Sequence, residues 1–347
     1  MKKYLIITFL LFFTCGGSQD RNNEVASSSN NIDTTTTTVA DTTTTTVADT
    51  TTTTVADTTT TTVADTTTTT VADTTTTTVA DTTTTTVADI FNRYEIITDN
   101  YYEPFTRYVD IKGLRIFVTQ EVSNDFIKKV ADTYVIMNND NSFINSSLRN
   151  KHYSSLTDWN IFQRLGYEGP GYYEEKTGKN FDDAISPYPI NGAYYENVTD
   201  YIWEVPSASI NSQIGEVIEH LLHTITNVSF ARAYPEWNWY DPSSKIRQAT
   251  NEAIEKNIFN DSDYQSLKDR GDFEGYHKIT TQEFSFWFIV TSWGYADIYD
   301  LPSEEFTLSN KDQVKDQLPI AYELYEEFVA KVLNPPSKSQ LNSIFNN

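Results

Sequence analysis

A single cysteine, Cys15, in 347 residues excludes intrachain disulfides and any site built from paired thiolates. Positive charge is scarce as well: 25 Lys and Arg stand against 48 Asp and Glu. From Ile90 onward there are 38 acidic and 22 basic residues, a net charge of −16. That balance argues against nucleic acid and anionic membrane surfaces as partners. It is compatible with cationic ligands and metal ions. The only long apolar run, Tyr4 to Phe13, is too short to span a bilayer as a mature helix. Histidine is rare too, with four in the chain.

The start of the chain carries its own signal. Lys2 and Lys3 precede the apolar run, which ends at Thr14 and Cys15, followed by Gly16, Gly17 and Ser18. A charged start with a short apolar core reads as an export signal. The layout resembles a bacterial lipoprotein signal over residues 1–15, in which Cys15 becomes a lipidated N-terminus. Phe12 and Thr14 depart from the usual residues before that cysteine. The resemblance implies a protein exported and anchored by lipid to the bacterial membrane or cell surface. The alternative is plain secretion, with Cys15 lost with the signal.

From Asp33 to Ala88 the octapeptide DTTTTTVA occurs seven times without variation. Each copy offers one Val and one Ala for burial, too little to offset the entropy of ordering the chain. The expectation for residues 16–89 is a disordered stalk. As a flexible coil the repeats would span on the order of 40 Å. Threonine-rich stalks are also O-glycosylation substrates.

Residues 90–347 hold all six Trp and are long enough for one domain with a real core. "YVDIKGLRIFVTQEV" (108–122) places a Lys-Gly turn between alternating β-branched runs and predicts a hairpin. "SNDFIKKVADTYVIMNND" predicts a helix capped by Ser123. Residues 165–206 read as long loops with one or two strands. Helices are expected over 243–259, over the aromatic 280–293, and over 311–333 with Pro319 opening a new first turn. The expected fold class is α+β, mainly helical.

One stretch concentrates the chemistry. In "GEVIEHLLHTIT" (215–226) and its flanks, Ile214, Val217, Ile218, Leu221, Leu222 and Ile225 form an apolar helical stripe. Glu216, Glu219, His220, His223 and Asn227 fall at the same spacings on the other side. Two imidazoles and two carboxylates on one stripe are donor types suited to zinc. The competing reading is the solvated face of an ordinary amphipathic helix. His152 and His277 stand alone in polar surroundings and read as surface histidines.

From about Val109 to the C-terminus the chain resembles secreted zincin-type metallopeptidases, whose metal helix reads HExxH. The resemblance rests on "IKGLRIFVTQEVSNDFIKKVADTYVIM", on "EHLLHTI", on "TTQEFSFWF" and on "LPIAYELYEEFV". It implies a zincin-like domain over 90–347 and a possible zinc cofactor. Glu219, His223 and Glu283 would be its metal ligands and His220 its catalytic base, with a peptide or protein as substrate. The first two motif residues are exchanged, Glu219 for a ligand histidine and His220 for the catalytic glutamate. Two carboxylates would nearly neutralise the ion and lower its Lewis acidity, so weak or absent hydrolysis is expected. His220 with His223 and Glu216 is an alternative ligand set on one helix. Glu252, in "ATNEAIEK", is an alternative distant carboxylate, since thermolysin-type peptidases carry a similar run; an exposed glutamate is its plainer reading. A rival class is a metal-free binding or adhesion lipoprotein, with "YEGPGYY" (167–173) and "YPEWNWYD" (234–241) as a platform for glycan or peptide.

Overall fold

The Lys112-Gly113 turn closes the expected hairpin. It joins β2 (Phe105–Ile111) to β3 (Leu114–Thr119), after a two-residue strand β1 (Ile97–Thr98). Both turn residues have positive φ, 46° and 87°, which a tight hairpin matching the sheet's twist requires. The computed structural model describes residues 94–179, 201–295 and 305–346, which lie in one compact unit, Thr85–Asn347. The expected signal, Cys15 and the repeat stalk lie outside the described residues.

The chain then forms α1 (Asn124–Met137), α2 (Ser146–Asp158), β4 (Phe162–Tyr167), α3 (Pro170–Thr177) and β5 (Tyr201–Glu204). Ser123 caps α1 as expected, its side chain accepting from the Phe126 amide. The five strands lie in the order β1-β2-β3-β4-β5. β1, β2 and β3 are antiparallel, whereas β4 and β5 join in parallel. Parallel neighbours need crossover connections, and α1 with α2 supplies the one between β3 and β4. The register gives the sheet two unlike faces. Val109, Ile116, Val118, Leu165 and Ile202 make one aliphatic and fully buried face. Tyr108, Phe117, Phe162, Tyr201 and Trp203 make the other aromatic.

The second half is helical: α4 (Ile210–His223), α5 (Lys245–Glu255), α6 (Phe273–Trp293), α7 (Lys311–Gln317), α8 (Pro319–Leu324) and α9 (Lys338–Asn346). A mainly helical α+β fold is therefore present. Ser209 caps α4 through the Ser212 amide. Its apolar stripe is entirely interior, with Ile214, Val217, Ile218, Leu221 and Leu222 at most 1% exposed. Full burial of each such side chain stabilises the fold by about 1.5–3 kcal/mol. The expected core helix proves longer than its aromatic segment: α6 runs 21 residues and is apolar on most sides, with Phe284, Phe286, Phe288 and Ile289 buried. It packs against α4 and α5. Pro319 opens α8 at its first turn, as expected. No helix among the described residues is long and apolar enough to cross a membrane.

Several expectations need correction. His152 is not a surface histidine: it is 0% exposed, with its ring against Phe230 and its Nδ1 2.6 Å from the Ser229 hydroxyl. Burial, with Arg149 adding to it, lowers its pKa to about 3. His277 is half-buried on the first turns of α6. Within the stretch read as long loops, Pro170–Thr177 is helical, entered through Glu168 and Gly169 at positive φ; residues 180–200 lie outside the described residues. In "YPEWNWYD", Tyr234, Trp237 and Trp239 are at most 3% exposed. Tyr234 and Trp237 complete the core around Phe230 and Phe328, and Trp239 stacks on the exposed Tyr240.

Candidate metal centre

The polar stripe of α4 is not a solvated face. His223 is fully buried and Asn227 nearly so, at 0% and 4% exposure, while Glu219 and His220 are intermediate. The stripe is enclosed because α6 lies against this side of the helix as well. The helix also changes form here. Thr224–Phe230 continues α4 as a π-helical segment, a wider turn that often accompanies functional sites. The segment is held by polar contacts from its surroundings. Thr224 donates to the buried Gln163 of β4, and the Trp239 indole donates to the Asn227 carbonyl at 3.0 Å.

Three residues bring donor atoms together. One donor from each of Glu219, His220 and His223 lies within 4.8 Å of the other two. The two imidazoles are nearly parallel, 18° between planes and 5.5 Å between centres. Zinc sits about 2.0–2.2 Å from nitrogen and oxygen donors, so donors in one tetrahedron stand roughly 3.5 Å apart. Closing the group on an ion takes at most about 1 Å of side-chain movement. The group could hold a metal ion.

Glu283 reaches the same place from α6, its Oε2 3.5 Å from His223 Nε2. Of the expected ligands, Glu283 therefore stands beside His223, while the donors that approach one another are those of Glu219, His220 and His223. His220 is adjacent, its Nε2 3.6 Å from Glu216 Oε1. Glu216 is committed elsewhere, accepting the Trp203 amide at 2.8 Å. In the all-α4 alternative Glu216 would have to ligate while its Oε1 still holds the Trp203 amide. Glu252 is neither exposed nor placed in the group: it pairs with Lys256 at 2.6 Å on α5.

A second ring of side chains surrounds these donors, and motif spacing does not reveal it. Gln282 Nε2 is 3.2 Å from His223 Nδ1, and the Asn227 amide donates to Gln282 Oε1 at 3.0 Å. Second-ring partners of this kind fix the tautomer and orientation of a ligating imidazole. Asn227 was visible as a member of the stripe, four residues after His223; Gln282 had only its position beside Glu283. Tyr264 and Glu305 carried no signal at all. The Tyr264 hydroxyl donates to Glu305 Oε1 at 3.1 Å. Burial, and then the charges of Glu283 and Glu305, push the Tyr264 phenol well up. Burial, and then the charge of Glu283, raise Glu305 to about 7. The Tyr264–Glu305 pair therefore lies within the field of Glu283.

On its other flank α4 covers the edge of the sheet. Gln213 accepts the Val205 amide at 2.9 Å and donates to the Trp203 carbonyl at 2.8 Å. Together with Glu216 on the Trp203 amide, these side chains occupy backbone groups that an edge strand would otherwise offer to an added strand.

No protein-family model matches the chain, and no curated protein or solved structure matches it either.

Proposed function

We propose that residues 90–347 are a zincin-like domain carried on the 16–89 stalk by a lipidated Cys15, binding zinc through Glu219, His223 and Glu283. His220 serves as the base beside that site, and peptide hydrolysis is weak or absent. One observation carries this reading: the mutual approach of the Glu219, His220 and His223 donors on α4, with Glu283 of α6 3.5 Å from His223.

The donor set suits zinc but not strong catalysis. Two carboxylates offset both charges of the ion, leaving little to acidify a bound water. A neutral imidazole at His220 can accept a proton near neutral pH. The occupied edge of β5 points the same way. An extended peptide is commonly held by strand addition, and Gln213 and Glu216 already use those backbone groups.

Metal binding is tested by substitution. His223→Ala should abolish zinc binding, since it removes the only imidazole of the set, while His220→Ala should leave zinc in place and lower any hydrolysis. Loss of zinc in both variants would make His220 a ligand and displace the base assignment. The double change Glu219→His with His220→Glu restores HExxH and should raise peptidase activity. A swap that gains neither metal nor activity would refute the reading.

A further inference from the structure

We infer that the cleft between the aromatic face of the sheet and α3 is a binding site for a neutral saccharide, separate from the metal centre. The cleft is lined by Tyr167, Tyr172, Tyr173, Tyr201 and Trp203, with polar groups at its rim. Sequence and packing build it deliberately. The β4–β5 register sets Gly166 opposite Trp203. A Cβ at Gly166 would stand 2.3 Å from the Trp203 ring, so only glycine lets the indole lie across the strand. Tyr201 stacks on Trp203 with centres 4.8 Å apart and 14° between planes, and Arg164 stacks in turn on Tyr201 at 4.2 Å. On the opposite wall Tyr172 packs edge-on against Tyr167 at 5.1 Å. Tyr167, Tyr172, Tyr173 and Trp203 are only half-buried, so each keeps part of its ring at the cleft.

Three features choose the ligand class. Among the described residues the rim is charge-balanced, with Glu103 and Glu121 against Lys176 and Lys179, in a domain that is otherwise strongly acidic. Lys176 and Glu121 also pair at 3.4 Å, which disfavours a strongly ionic ligand. Flat rings beside groups that both donate and accept complement a pyranose, which has an apolar C–H face and a girdle of hydroxyls. Peptide is the poorer match. Strand addition at β5 is forestalled by Gln213 and Glu216. A proline-rich segment brings few N–H donors to the rim carboxylates, which only accept.

The test is titration of the intact protein with cellotetraose, maltotetraose and chitotetraose, and with a proline decamer, followed by tryptophan fluorescence and calorimetry. At least one tetrasaccharide should bind. Tyr172→Ala, on the surface helix α3, should weaken it about tenfold or more, and Trp203→Ala should do the same. Glu283→Gln, in the metal centre, should leave it unchanged, which separates this site from the zinc reading. The inference is overturned by no saccharide binding up to roughly 10 mM. Binding that survives both aromatic substitutions, or binding of the proline decamer alone, overturns it as well.

Discussion

His223 shows how far a single residue's setting goes beyond its spacing. Its place four residues after Glu219 was legible in the sequence; its complete burial and its contact with Gln282 were not, because both depend on where α6 lies. Gln282→Leu should weaken zinc binding by roughly 10- to 100-fold with the fold intact, as loss of a second-ring partner does. Competition with a chelating dye would measure it, and unchanged affinity would remove Gln282 from the site. Asp132 offers a residue-scale test of a different kind. It is 1% exposed on α1, and neither carboxylate oxygen has a hydrogen-bond partner among the described residues. Burial, partly offset by Lys128, raises its pKa from 3.8 to about 7. Between those values the folded state holds the proton more tightly than the unfolded state. Its contribution to stability is therefore complete below the lower value and is lost as pH rises to the upper. Asp132→Asn should stabilise the protein at pH 8 by a few kcal/mol, up to about 4, and flatten the fall of stability across this window. Urea denaturation at a series of pH values would show it; a variant that keeps the wild-type slope would contradict it.

At the scale of elements, local chemistry was the most legible part. The Lys112-Gly113 hairpin, the Ser123 cap, the stripe of α4 and the first-turn Pro319 follow from turn, capping and periodicity rules, and each is present. What those rules could not give was which second face would be buried. The polar side of α4 reads as solvated by its residue types, yet α6 and the π-helical segment enclose it. His152 is misread for the same reason, since Ser229 and Phe230 reach it only through that segment. Leu221, at 0% exposure on the interior stripe, should cost about 2–5 kcal/mol as Leu221→Ala in chemical denaturation. A loss under about 1 kcal/mol would mean that α4 is not fixed between its neighbours. Gln213→Ala removes two side-chain bonds from the β5 edge. It should cost about 1–3 kcal/mol in chemical denaturation, since two part-buried hydrogen bonds to the Trp203 and Val205 backbone are lost.

For the whole molecule, the proposal is a signal, a stalk and one metal-binding domain displayed at a surface. The proposed metal and saccharide sites would lie on different parts of that domain: the first on α4 and α6, the second in the aromatic cleft at the sheet face. The stalk expectation rests on repeats with no core residue, and limited proteolysis should trim residues 16–89 while leaving a resistant fragment beginning near Ile90. A protected fragment that retains the repeats would contradict it. Whether α4 and α6 hold a metal ion is decided by the zinc content of the purified protein, measured by elemental analysis. About one zinc per chain is expected after dialysis against micromolar zinc, and none in His223→Ala. Wild-type protein that retains no zinc would contradict it.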